Sequence, residues 1–320
     1  MRAVRYHEFG DPDVLQVEEL ERPEPEPGQV LVEMRVASVN PVDAKFRSGR
    51  IPGVVTFPAI PGGDGAGVVV DVGEGVDAFE AGERVFASGM GHAAGGTFAE
   101  FVAFPETKLA HLPDDVPFEV GGAVGNVGAT AWTALVDIAG VEPGDRVLVH
   151  GGSGGVGHVA VQLAAAGGAD VVATAGSDEA RERVRELGAD VALDYHSDSL
   201  AEEVAAATDG EGVDVVLDHM LEEYLGVDLE VAAQGGRIVT ITGDVPATSG
   251  AALRNKELTL RGMSMGNRPD RRHVLGRLAH LMERGQLTAV VERTYDFEDV
   301  PEAHRDVMAG GYVGKLVVAP

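Results

Sequence analysis

The stretch Val147-Leu148-Val149-His150-Gly151-Gly152-Ser153-Gly154-Gly155-Val156-Gly157 decides the architecture of this chain. An apolar strand runs into a glycine cluster, and the cluster opens a helix. Gly152, Gly154 and Gly157 stand in G-x-G-x-x-G order, which carries weight because a strand precedes it and a helix follows. The first glycine permits the tight turn, and the second lets the backbone approach a pyrophosphate. The third lets helix and strand pack closely, while the helix's free N–H groups and positive dipole end face the phosphates. Downstream, Val156, Val159, Ala160, Leu163, Ala164 and Gly167 keep an apolar face at helical spacing. This order of elements implies a dinucleotide site built on Gly152, Ser153, Gly154, Gly155, Val156 and Gly157.

On both sides of this stretch the pattern has one period, and toward the termini it has another. From about Gly121, helical runs alternate with continuous apolar strands at Arg146–Val149, Val171–Ala175, Val191–Leu193, Val213–Leu217 and Arg237–Ile241, with Leu258–Gly262 closing the run. Such alternation predicts parallel βαβ units buried on both faces, a doubly wound sheet. Residues before about Phe118 read as short strands broken by Gly and Pro, at Val30–Val36, Gly67–Val72, Glu83–Ala87 and Phe98–Val102. That predicts an antiparallel, barrel-like domain. After the helical segment Arg271–Arg284 the short-strand character returns and ends in Gly314–Val318, so the C-terminus is expected to rejoin the first domain. The predicted division is 1–122 with 267–320, and 123–266.

A length of 320 residues suits two domains. With 44% hydrophobic residues, a mean hydropathy of +0.02 and no run near ~18 apolar residues, no membrane span is expected. The first residues, Met1-Arg2-Ala3-Val4-Arg5-Tyr6-His7, begin as a strand without the apolar core of a signal peptide, so the expected location is the cytoplasm. Asp and Glu number 52 against 25 Lys and Arg, a formal net charge of −27. That balance argues against nucleic acid and anionic membranes as partners. Four lysines, Lys45, Lys108, Lys256 and Lys315, complete a composition that fits a salt-rich cytoplasm. There is no cysteine, which excludes disulfides, thiolate catalysis and zinc sites built on cysteine.

Several blocks, in order, resemble the zinc-independent quinone oxidoreductase branch of the medium-chain dehydrogenase/reductase superfamily. They are Val39-Asn40-Pro41-Val42-Asp43, Pro61-Gly62-Gly63-Asp64-Gly65-Ala66-Gly67, Gly128-Ala129-Thr130-Ala131-Trp132, the glycine loop, Gly188-Ala189-Asp190 and Gly314-Lys315. The resemblance spans nearly the whole chain. It implies a GroES-like β-barrel catalytic domain together with a Rossmann domain, an α/β fold with the active site in the cleft between them. Zinc-dependent relatives bind catalytic metal through a Cys in the first block and a His in the second, and those positions match Asn40 and Gly63 here. His92, His111 and His150 show no short-range ligand spacing. No zinc is expected.

Without a Lewis acid, alcohol oxidation lacks a stabiliser for the developing alkoxide. A quinone or other conjugated carbonyl accepts hydride more readily, because the resulting anion is delocalised. The chain then has to position a nicotinamide and supply a proton. NAD-specific sites carry an acid about 20 residues past the glycines. Here the second strand ends in Ala175 followed by Gly176 and Ser177. A small neutral end leaves room for a 2′-phosphate, with Arg181 the nearest of Arg181, Arg183 and Arg185. NADPH is therefore expected ahead of NADH, with Asp178 as the residue that would restore NADH preference. Ser177 has two readings, donor to the phosphate or helix cap. The resemblance adds Tyr195 as a phosphate contact and places Thr130 near the nicotinamide.

Asn40, Asp43 and Thr130 are the expected catalytic positions, with Asp43 orienting its loop through Arg47. Thr242 and Gly243 follow the strand whose C-terminal end should open onto the nicotinamide. Lys315 has both a structural and a catalytic reading. Two departures from the family pattern leave the proton donor open. Ile51 stands where many quinone reductases carry a Tyr, and Asp218-His219-Met220-Leu221 replaces an Asp followed by a small Val-Gly pair. The alternatives are an enal, enone or enoyl-thioester C=C reductase, and a dinucleotide-binding redox-sensing or structural protein. Strand Leu258–Gly262 is expected at a sheet edge, where relatives form homodimers.

Overall fold

The computed structural model describes residues 1–51, 55–90, 95–242, 245–246, 248 and 250–320. Gly243 and His92 lie outside them. The chain divides into two compact units, Met1–Ala129 with Arg268–Pro320, and Thr130–Asn267.

The first unit begins with the antiparallel pair β1 (Arg2–Arg5) and β2 (Gln16–Glu19). Its long strand β3 (Gln29–Val39) is followed by helix α1 (Pro41–Arg47), β4 (Asp64–Val72), β5 (Arg84–Ser88), β6 (Phe101–Pro105), β7 (Leu109–His111) and helix α2 (Phe118–Trp132). β3 organises the sheet. Its residues Gln29–Glu33 pair with β6, its far end pairs with the C-terminal strand, and β4 lies antiparallel along its length. Apolar residues fill the space between: Val30, Val32, Met34, Val69, Val85, Val102 and Phe104 are all buried in one core. One expected strand is displaced. The run predicted at Phe98–Val102 forms a strand only from Phe101, because Phe98 and Ala99 turn instead to β1, through the Val4 N–H to Phe98 carbonyl bond and the Ala3–Ala99 bridge.

The second unit is a six-stranded parallel sheet. It contains β8 (Arg146–Val149), α3 (Gly157–Ala166), β9 (Asp170–Ala175), α4 (Asp178–Glu186), β10 (Val191–Asp194), α5 (Leu200–Ala207), β11 (Val213–Asp218), α6 (Leu221–Val231), β12 (Ala232–Thr240), α7 (Gly250–Lys256) and β13 (Thr259–Gly262). The strand order β10-β9-β8-β11-β12-β13 is the doubly wound order. Strand order reverses between β8 and β11, so these two strands flank the switch point. Leu148, Val172, Val216, Leu217 and Ile238 are buried on the sheet, as expected where helices cover both faces. β12 starts five residues earlier than its apolar run suggested, and β13 is the last strand, mostly exposed and paired to β12 alone among the described residues.

The chain then returns to the first unit as α8 (Arg272–Glu283), β14 (Val291–Tyr295), α9 (Val300–Ala309) and β15 (Lys315–Val318). β15 pairs antiparallel with Ala37–Val39 of β3, and α9 packs Val300, Ala303 and Val307 into a second core with Val39, Ala44 and Leu316. No helix among the described residues is long and apolar enough to cross a membrane.

Burial decides what each strand of the parallel sheet contributes. Leu217→Ala, at a fully buried site in β11, should cost about 2–5 kcal/mol in guanidinium unfolding. Leu260→Ala, at the one half-buried residue of the exposed edge strand β13, should cost less than half as much. Equal losses would show that the sheet is not the core of its unit.

Candidate functional site

Two groups of residues carry chemistry, one in each unit. In the second unit, β8 ends at Val149 and the chain passes through His150 and the glycines into α3. Gly151 takes φ +57°, a conformation that favours glycine. A Cβ on Gly157 would stand 2.1 Å from the Gly151 carbonyl oxygen, so the helix meets its strand at a distance only glycine permits. The Gly151 and Gly152 N–H groups are held by Thr174 of β9, through Oγ1 at 3.0 Å and the carbonyl at 2.7 Å. The N–H groups of Ser153, Gly155, Val156 and Gly157 have no hydrogen-bond partner among the described residues. Four free donors at the positive end of α3 form an anion site. The loop fits the pyrophosphate of a dinucleotide.

The end of β9 is shaped for a further group. A Cβ on Gly176 would lie 2.2 Å from the Tyr195 hydroxyl, so Tyr195 stands against this turn and is half-buried. Ser177 is the N-cap of α4, its Oγ accepting the Ala180 N–H at 3.1 Å. Ser177 Oγ thus caps the helix as an acceptor and keeps its hydroxyl hydrogen as a donor. Arg181 reaches back to the Ala175 carbonyl at 3.4 Å and pairs with Asp194 at 3.1 Å and Asp178 at 2.5 Å. Asp178 is 98% exposed, so its contact with Arg181 is a surface one. Ser177, Arg181 and Tyr195 surround one turn. Thr242 sits past β12, its N–H bonded to Thr240 Oγ1 at 3.3 Å. Gly243 is outside the described residues. Thr130 is buried in α2.

In the first unit, α1 is started by a capping box, in which the Asn40 N–H donates to Asp43 Oδ2 at 2.8 Å. Asp43 therefore orients its loop through the Asn40 backbone. The Asn40 side chain joins three strands. Its Nδ2 donates to Asp64 Oδ1 of β4 at 2.7 Å, and its Oδ1 accepts from Lys315 Nζ of β15 at 2.7 Å. Lys315 also donates to the Val39 carbonyl at 2.8 Å, and Asp64 Oδ2 accepts the Asn126 N–H of α2 at 2.8 Å. All four side chains are buried. Burial pushes the Asp43 carboxyl up to about 7, with the Asp64 charge adding to the effect. Burial raises Asp64 to about 6, opposed chiefly by the Lys315 ammonium, and burial also lowers Lys315. Two carboxyls thus share one ammonium, and Asp43 is the one that keeps its proton closer to neutrality.

Sequence reasoning brought Asn40 and Asp43 together, and the structure adds Asp64, Lys315 and Asn126. Asp64 was visible as the one acid in the glycine block at the head of β4, and Lys315 as a charge beside the apolar run Leu316-Val317-Val318. Nothing local shows that they meet, because 251 residues separate Asp64 from Lys315 (315 − 64). The sequence also left unread a buried group at the ends of β8 and β11, comprising His150, Asp218 and Asp228.

Two family models match this chain. An alcohol dehydrogenase GroES-like domain model matches residues 26–114, and a zinc-binding dehydrogenase model matches residues 187–318. The quinone oxidoreductase of Rattus norvegicus is 32% identical over 99% of this chain and 97% of its own. A solved NAD-dependent alcohol dehydrogenase superposes with a TM-score of 0.93 at 33% identity, covering all of both chains. The Escherichia coli quinone oxidoreductase, solved with NADPH, gives a TM-score of 0.88 at 26% identity, again covering all of both chains.

The proton held by Asp43 predicts a pH dependence. A carboxyl whose folded pKa stands above its unfolded value of 3.8 stabilises the fold fully only below about pH 4, and that contribution is lost as pH rises through about 7. Asp43→Asn keeps an acceptor for the Asn40 N–H and removes the ionisation. Its stability in denaturant titrations should fall less than that of the parent between those limits. Parallel pH profiles for the two proteins would remove Asp43 as the titrating group.

Proposed function

The chain belongs to the quinone oxidoreductase family of the medium-chain dehydrogenase/reductase superfamily, and from that premise we propose that it reduces a quinone or similar conjugated carbonyl with NADPH and without zinc. The observation that carries this reading is the glycine loop, whose four N–H groups without a partner among the described residues stand at the end of α3 that attracts phosphate. When bound there, NADPH supplies the hydride. Gly152 to Gly157 hold the pyrophosphate in this reading, while Tyr195, Arg181 and Ser177 receive the 2′-phosphate beside the small neutral end of β9. Because similar structures include both an NAD-dependent and an NADPH-bound protein, the choice of nucleotide rests on these residues. Thr130, Thr242 and Gly243 are assigned to the nicotinamide half.

The metal-free reading rests on donor chemistry. The position matched to a zinc-binding Cys is Asn40, whose amide is engaged by Asp64 and Lys315. The second matched position is Gly63, which has no side chain to offer. Asn40 positions the loop that begins α1, and Asp43, raised to about 7, is partly protonated at neutral pH. In this reading Asp43 is the acid that the missing Tyr at Ile51 does not supply. The net charge of −27 supports work in a salt-rich cytoplasm, where molar salt shortens the screening length to ~3 Å. The exposed edge strand β13 supports homodimer formation by strand pairing.

The deciding experiment is NADPH oxidation in molar KCl with EDTA, using 1,4-benzoquinone or naphthoquinone against an enal, with NADH as control. Quinone turnover that survives EDTA is the expected result. Turnover with the enal alone would move the protein to C=C reduction, and NADPH binding without any turnover would favour a sensing or structural role. Arg181→Ala should weaken NADPH binding about tenfold, on the scale of one charge-assisted contact, and leave NADH nearly unchanged. An equal loss for both nucleotides would take Arg181 off the 2′-phosphate. Thermal unfolding should also shift upward between low and molar KCl; maximal stability at low salt would contradict the salt-adapted reading.

A further inference from the structure

Four ionisable side chains meet at the switch point, at the C-terminal ends of β8 and β11. His150 immediately precedes Gly151 and is fully buried, with Nε2 2.8 Å from Asp228 Oδ1 of α6. One turn earlier on α6, Tyr224 stacks on the His150 ring with centroids 4.6 Å apart and planes 12° apart. Asp218 ends β11, fully buried, its Oδ1 accepting the Met220 N–H at 2.5 Å. His219 follows, and its Nε2 would lie 2.6 Å from a Cβ at Gly151. The group therefore touches the first residues of the glycine loop from two strands and one helix.

The carboxyls of Asp218 and Asp228 act on each other and meet around His150, whose N–H donates to the carbonyl of Leu217, the residue before Asp218, at 3.1 Å and whose ring nitrogen lies against Asp228. Two ionised carboxylates cannot bond each other, because both are acceptors only. With both ionised, Asp218 Oδ2 and Asp228 Oδ2 are buried without any donor. One proton between them satisfies both atoms. None of the groups acting on either carboxyl is a lysine or arginine, so no ammonium or guanidinium does this work, unlike the Asp64 and Lys315 arrangement of the first unit.

We propose that Asp218 and Asp228 share one proton and, through His150 and His219, position the glycine loop, so that binding of an anionic dinucleotide is linked to proton uptake by this pair. The inference rests on the reading of the loop as a dinucleotide site. With its proton the pair carries one negative charge. Without it, a second buried charge stands beside the place that receives pyrophosphate, and repulsion in a partly buried setting is weakly screened. Phosphates in the loop then raise the pair's affinity for its proton, and by reciprocity the proton tightens the nucleotide.

The window follows from burial. Asp218 and Asp228 are both pushed up to about 7, Asp218 chiefly by desolvation and then by the Asp228 charge. Desolvation lowers His150 and His219 to about 4, so both imidazoles stay neutral through this range. Tyr224 on α6 also faces the cluster, and on it act Glu223 of the same helix and Tyr195 beyond β10. Tyr224 is raised to about 12 by burial, so it does not ionise here either.

The test is calorimetric titration of the intact protein with NADPH and with NADH, in buffers of different ionisation enthalpy, from about pH 6 to about pH 8.5. NADH lacks the 2′-phosphate, so uptake common to both nucleotides belongs to the protein. The expected result is proton uptake with both nucleotides above neutrality and an affinity that falls up to about tenfold across the range. Asp218→Asn places an amide donor where the shared proton stood; it should bind with no uptake and a flat pH profile. Asp228→Asn should flatten the profile in the same way, and it decides the matter if the first variant fails to fold by thermal unfolding. No uptake in the parent, or undiminished uptake in the folded variant, would overturn the linkage while leaving the dinucleotide site standing. Absence of binding by the parent to either nucleotide would overturn both.

Discussion

The contact between the start of α3 and the turn after β8 is the constraint on which the second unit depends. With the Gly151 carbonyl where a Cβ of Gly157 would be, no other residue lets the helix begin so close to the strand. At that distance the N–H groups of Ser153, Gly155, Val156 and Gly157 lie in the turn and at the first residue of α3, without a partner among the described residues. The cost of four unsatisfied donors is tolerated because the site is polar and open to an anion. Thr174 fixes the other side of the turn by bonding both Gly151 and Gly152, so the loop is pinned to β9 as well as to its own helix.

Buried charge is the second theme, and the two units treat it differently. Lysine is scarce in this chain, and Lys315 is placed inside the first unit against Asn40, Asp64 and Asp43. Lys256 serves as a donor to the carbonyls of Leu229 and Ala232 at 3.1 and 2.9 Å, closing the end of α6. Two of the four lysines thus sit where an ammonium completes a hydrogen-bond network. At the ends of β8 and β11, among the described residues, no lysine acts on the buried carboxyls. The carboxyls there are instead matched with each other and with neutral imidazoles, an arrangement that is stable only while a proton remains between them.

Much of the architecture was legible because it is written in local periods. The glycine loop, the alternating apolar strands and the helical faces each appear within a window of a few residues, and β8, β9, β10, β11 and β13 fall on the runs that predicted them. The strand expected from Phe98 begins only at Phe101 for a non-local reason, since Phe98 and Ala99 are claimed by β1 almost a hundred residues earlier. The same limit applies to the site. Asn40 and Asp43 lie within one capping box and could be read as a pair. Asp64 and Lys315 join them only because β4 and β15 both lie against β3, a pairing that no spacing along the chain encodes.

The buried cluster at the switch point shows why a departure from family pattern deserves a physical reading of its own. His219 occupies space over Gly151 that a small residue would leave open, and Gly151 answers with a left-handed backbone and no side chain. Tyr224 links this region to the end of β10, since its ring covers His150 while its hydroxyl donates to the Tyr195 carbonyl at 3.4 Å. Tyr195 in turn stands on Gly176, the turn assigned to the 2′-phosphate. One helix, α6, therefore buttresses both the loop assigned to the pyrophosphate and the turn assigned to the phosphate of the adenine half. A change of protonation at Asp228 acts on the same helix that holds Tyr224, so charge and geometry at the two ends of the loop are not independent quantities in this protein.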